Sequence, residues 1–177
     1  MSKLLWNPFI SDLEYERLIH EFGLAYYGAG YSFLLEYIRL WENTIKKNLH
    51  FNYDLTNLDE NGPAFDLMKK EDISTFIQKA ELLWSNCEKC ANQEQLERIR
   101  KDRLQFDYLE LLLTFDDVMQ NGSAEEQKMV LSKNRKLIDA IKKYNIKITF
   151  WGQTVQSQNE EMDKFYTTSP RRWNYKW

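Results

Sequence analysis

Residues Leu104 to Met119 constrain the fold more than any other stretch. Leu104, Phe106, Tyr108, Leu109, Leu111, Leu112, Leu113, Phe115 and Val118 put apolar side chains on most faces of one helix. Such a helix needs partners on more than one side. The sequence therefore predicts a helical bundle with this segment at its centre, as the second half of a helix from about Gln93 to Gln120. The first half reads differently. From Glu97 to Arg103 it is charged nearly all round, with Arg98, Arg100, Lys101 and Arg103 alternating with Glu97 and Asp102. That pattern predicts a solvated face laced with pairs one helical turn apart.

Four further helices supply the partners. Ser11 and Glu14 stand at capping-box spacing ahead of a helix from about Asp12 to Tyr27. Tyr15, Leu18, Ile19, Phe22, Ala25 and Tyr26 recur on one face and are expected to be buried. Gly28 and Gly30 end it, and the short link to a helix over Tyr31–Asn48 predicts an antiparallel pair. Tyr31, Leu34, Ile38, Trp41 and Ile45 form the second stripe. The third helix, about Asp72 to Ala91, has the cleanest pattern, with Ile73, Phe76, Ile77, Ala80, Leu83, Trp84 and Cys87 in line. Asn121-Gly122 stops the long helix, and Ser123 with Glu126 caps a fifth over about Ala124 to Tyr144, burying Val130, Leu137, Ile138, Ile141 and Tyr144.

The rest is irregular. Between His50 and Pro63, Asn, Asp and Gly favour turns, which marks a candidate functional loop. Ile146 to Trp151 alternates and is β-branched, predicting a short strand for which no partner is evident in the sequence. The reading is thus all-α: an irregular antiparallel bundle of about five helices, a short strand near 146–151 and an extended C-terminal tail. Residues 1–10 read as the remnant of a preceding domain or a linker, 11–145 as the bundle, and 146–177 as strand and tail.

Charge and motif exclude several functions. A net charge of −3 leaves no basic excess for phosphate backbones, so nucleic acid is not an expected partner. No apolar run approaches the roughly 18 residues that cross a bilayer, and the N-terminus lacks a signal-peptide pattern, so a cytoplasmic protein is expected. Cys87 and Cys90 could supply half a zinc site, but His20 and His50 are too far apart in sequence to supply the usual other half. The expectation is packing for Cys87, with no metal and no cofactor. Asp116-Asp117 adjoins the apolar half of the long helix, where burial could raise a carboxyl pKa. Emergence to solvent is the plainer reading. There is no phosphate loop, nucleophile elbow or H-E-x-x-H, and no catalytic residue is assigned. Trp173, Tyr175 and Trp177, beside Arg171 and Arg172, are candidate sugar- or partner-binding aromatics; folding back over the bundle is the alternative.

Lys3-Leu4-Leu5-Trp6-Asn7-Pro8, then Glu21-Phe22 and Tyr26-Tyr27-Gly28, resemble the C-terminal helical region of a family of large bacterial glycoside-hydrolase-like proteins. That family has a TIM-barrel core and is catalogued as a domain of unknown function. Tyr31, Glu36-Tyr37-Ile38 and Leu40 match its next helix, and Arg98 to Leu112 is more loosely similar to a later one. The resemblance implies that catalytic carboxylates would stand on a barrel, so none is carried over to this chain. It implies a non-catalytic accessory domain that docks on a catalytic TIM barrel or on a copy of itself, with Leu4, Leu5 and Trp6 as interface. The alternatives are a free-standing helical interaction domain, or carbohydrate binding by the tail aromatics.

Overall fold

The Ser11 hydroxyl accepts the Glu14 N–H at 3.3 Å and starts α1, Asp12–Tyr27, while the Glu14 carboxylate turns toward Arg17. Gly28 then adopts φ 60° with ψ −141°, a positive-φ conformation open to glycine, and a 3-10 turn, Gly28–Gly30, leads into α2, Tyr31–Asn48. The structure is a computed structural model and describes residues 10–48, 68–146, 148–150, 153–155, 165–167 and 169–170. Three more helices follow: α3, Lys70–Lys89; α4, Gln93–Asn121; and α5, Ala124–Lys143. Capping boxes open the last two. Ser123 and Glu126 exchange side-chain-to-backbone bonds at α5, as their spacing predicts, and Asn92 and Gln95 do so at α4, a box the sequence reading did not single out.

The all-α reading holds, and α4 is the central helix. Phe106 and Ile99 are fully buried, and with Leu113 they face Phe76, Ala80, Trp84 and Cys87 of α3. Tyr37 of α2 reaches this layer, its ring 5.2 Å from Trp84 and 5.9 Å from Phe106. Leu111 and Phe115 of α4 meet Val130, Leu137, Ile138 and Ile141 of α5 in a second apolar cluster. One helix therefore serves two core clusters, which is why its apolar residues are spread around it.

Three expectations are corrected. Ile99 lies in the half of α4 expected to be solvated, yet it is buried because it stands two turns before Phe106, and Phe106 two turns before Leu113, on one face. In α2 the packing side is Phe33, Leu34, Tyr37, Leu40 and Trp41, while Ile38 is exposed. The strand does have a partner. β1, Ile148–Phe150, pairs antiparallel with β2, Gln153–Val155, in the register Ile148↔Val155 and Phe150↔Gln153. Gln153 and Thr154 are polar, so β2 carries no hydrophobic signal of its own. Part of the tail folds back: Phe165 joins the α5 cluster, and the Asn134 side-chain amide donates to the carbonyls of Phe165 at 2.8 Å and Tyr166 at 3.1 Å.

Candidate functional site

Helix α1 is attached by its C-terminal half. Gly23 sits against the ring of Tyr31, so close that a Cβ there would overlap it. The Tyr27 hydroxyl donates to Asp102 at 2.8 Å, and Arg98 donates to the Tyr26 carbonyl at 3.4 Å while covering the Tyr26 ring at 5.0 Å. Burial, then the Asp102 carboxylate, pushes the Tyr27 phenol well above its ordinary pKa. The helix thus leans on α4 and on Tyr31 at the start of α2.

The stripe expected to be buried is instead turned outward. Tyr15, Ile19, Phe22 and Ala25 are exposed, Phe22 by 48%, and only Leu18 and Tyr26 are half-buried. At 3.6 residues per turn Gly23 lies roughly a quarter turn from the centre of that stripe. Because glycine permits the closest approach, the helix settles on Gly23 rather than on its bulky residues. Leu13, 78% exposed, and Leu24 stand bare on the other flank. Five large apolar side chains of one helix are therefore open to a partner. Amphipathic spacing shows that a face is apolar; it does not say which body covers it.

A second concave surface runs along α4. Arg100, Arg103, Asp107, Glu110, Thr114, Asp117 and Val118 recur at helical spacing and form its floor, between α3 and α5. Two cavities of about 440 and 580 Å³ share Glu110 and Lys133, which form an ion pair across it. At the first, Arg103 is a hub: it donates to Glu88 at 2.9 Å, to both Glu81 oxygens at 2.6 and 2.7 Å, and to Asp107 at 3.2 Å. Burial works against the Arg103 charge, but the carboxylates outweigh it and raise its pKa. Burial raises the Asp107 carboxyl despite Arg103 beside it. The sequence placed Arg103 on a solvated face; its side chain is 18% exposed, and the partners that bury it are on α3. Pairs one turn apart do form within α4, Arg100 with Glu97 among the residues singled out in sequence, and Arg98 with Glu94 and Arg103 with Asp107 beside them. At the second cavity the lining is mainly apolar, with Ile73, Ile77, Leu113, Val118, Met129 and Val130.

The remaining candidates separate cleanly. Leu4, Leu5, Trp6, Trp173, Tyr175 and Trp177 lie outside the described residues, as does the loop from His50 to Pro63. Cys87 is buried in the α3 stripe, where burial pushes its thiol up to about 11, and Cys90 is exposed at the helix end. Among the described residues no three His, Cys, Asp or Glu side chains gather as a metal site. Asp117 emerges to solvent, where a 2.7 Å bond from Lys70 holds its carboxyl below the usual range. The carboxyl with a raised pKa is the half-buried Asp107, about three turns before the pair singled out in sequence. No described helix is long and apolar enough to cross a membrane. Compared with known proteins, the chain matches no family model, no curated protein and no solved structure.

Proposed function

We propose that this chain is a non-catalytic helical docking domain and that α1 presents its docking face. One observation carries the reading: Tyr15, Ile19 and Phe22 form an apolar stripe on a well-capped helix that the rest of the described chain leaves uncovered. A contiguous apolar face of this kind is costly in water and serves an interface. The resemblance supports the accompanying role, since Glu21, Phe22, Tyr26, Tyr27 and Gly28, which carry part of it, lie on or at the end of α1. On that reading the domain accompanies a glycoside-hydrolase-like barrel and contributes contacts rather than chemistry.

An apolar fluorescent dye tests the face directly. The wild-type chain should enhance dye emission, and Ile19→Asp with Phe22→Asp should remove most of the gain while leaving the melting temperature within a few degrees. Unchanged dye binding in that double variant would place the apolar surface elsewhere and end this reading.

A further inference from the structure

The chain's two cysteines close α3 at the corner on which α1 and α2 turn. Cys87 stands buried in the last turn of α3, and Cys90 is the exposed residue that caps it. Burial raises the Cys87 thiol, and the nearby Cys90 adds to the shift. The glycine turn rests on this corner at two points. A Cβ on Gly30 would lie 2.8 Å from both the Sγ and the carbonyl oxygen of Cys87, and one on Gly28 would lie 2.6 Å from the side-chain nitrogen of Gln95. Gln95 belongs to the capping box that opens α4 at Asn92, immediately after this corner. Helical residues three apart have Cα atoms about 5 Å apart, inside the roughly 4.4–6.8 Å that a disulfide spans. Their Cβ atoms, at about 5–6 Å, are about 1–2 Å too far apart, so a bond closes only if the last turn unwinds. That turn is held by long bonds, from the Cys90 N–H to the Asn86 carbonyl and from the Ala91 N–H to the Glu88 carbonyl, both 3.2 Å. Drawing the Cys87 sulfur forward to Cys90 also takes it from Gly30, because helical side chains point back toward the N-terminus.

We infer that Cys87 and Cys90 form a thiol–disulfide switch that loosens the α1–α2 turn when oxidised. The oxidant is a low-mass disulfide of the glutathione type. Cys90, the accessible thiol, gives up its proton and attacks one sulfur of that disulfide; the S–S bond breaks and the departing thiolate takes up a proton. As the last turn of α3 opens, Cys87 attacks the Cys90 sulfur in the same way and expels the second small thiol. Two protein thiols are oxidised to one disulfide, and one small disulfide is reduced to two thiols. Excess thiol reverses both steps. The switch acts on the end of α1 that anchors it, and it stands whether or not the α1 stripe is a docking face.

Oxidised glutathione, added to the reduced full chain without denaturant, tests it by thiol alkylation with intact mass and then by backbone hydrogen exchange. The wild-type chain should lose two hydrogen atoms and take no alkylating label. Its amides from Tyr26 to Tyr31 should exchange at least about tenfold faster, and dithiothreitol should restore the slower rate. Amides around Ile138, in the other core cluster, should not change. Cys90→Ser, at an exposed position, should take up no glutathione and keep the slower exchange, while Cys87→Ala should stop at a mixed disulfide on Cys90. A wild-type chain that keeps both thiols, stops at the mixed disulfide or links to a second chain overturns the inference. So does glutathione on Cys87 of the Cys90→Ser variant. A disulfide that leaves exchange at the glycine turn unchanged, or speeds it equally at Ile138, overturns it as well.

Discussion

Helices α1 and α4 are both rich in large apolar residues, and they use them in opposite ways. In α4, Phe106, Leu111 and Leu113 are closed in on both sides by α3 and α5. In α1, Gly23 is buried, and Leu13, Tyr15, Phe22 and Leu24 face solvent. A central helix spends its apolar surface on the fold; α1 keeps much of it available. Contact with the body is therefore not what shaped the α1 stripe. This difference between a helix that folds the chain and a helix that presents a face is the basis of the functional reading.

The contrast predicts a graded set of effects. Phe106→Ala removes a fully buried ring between two helices and should cost about 3–5 kcal/mol in chemical denaturation. A cost under about 1 kcal/mol would dissolve the distinction at its strong end. Arg103→Met leaves Glu81, Glu88 and Asp107 facing one another and should cost about 2 kcal/mol, discounted because Glu81 is partly solvated. The pH sign is fixed by Asp107. Its carboxyl is raised in the folded protein, so its contribution favours folding at low pH and is lost as pH rises through the raised value. The Arg103→Met deficit should accordingly shrink on acidification, and an equal deficit at both ends of the range would remove the hub from the account.

Smaller effects follow at the seam. Gly23→Ala forces a methyl into the Tyr31 ring and should lift α1 at a cost of about 1–2 kcal/mol, read as faster proteolysis within α1 before global unfolding. Cys87 gives a pH slope at the α3 core. Its thiol, ordinarily near 9, is raised to about 11, so its contribution is complete below 9 and fades between the two values. Stability should fall by roughly 1 kcal/mol by pH 10 from this group, and Cys87→Ala should flatten that part of the slope. Least of all, Phe22→Ser should change stability by no more than about 0.5 kcal/mol, as for a solvent-exposed position.

Much of the architecture is legible in the sequence because it is local. Ser11 and Gly28 bracket α1, Ser123 and Glu126 open α5, and the many-sided apolar run marks α4 as central. What escapes is what depends on distant residues. Arg103 looks like one charge in an i,i+4 lattice, and Glu88 and Glu81, fifteen and twenty-two positions away on another helix, make it a hub. Asn134 reads as a polar break in the α5 stripe until Phe165 and Tyr166 return to its amide. Ile99 had a readable signal, its seven-residue spacing to Phe106 and Leu113, masked by the charges around it. The candidate face was legible as a stripe but not as a surface, since periodicity is blind to whether Gly23 or Phe22 meets the body.

Backbone hydrogen exchange, residue by residue on the dilute chain, tests the central claim most directly. Amides in the first two turns of α1 should exchange two or more orders of magnitude faster than those around Phe106 and Leu111, because detaching α1 exposes little new apolar surface. Equal protection of α1 and α4 would mean that α1 is part of the cooperative core, and its stripe would lose its standing as a docking face.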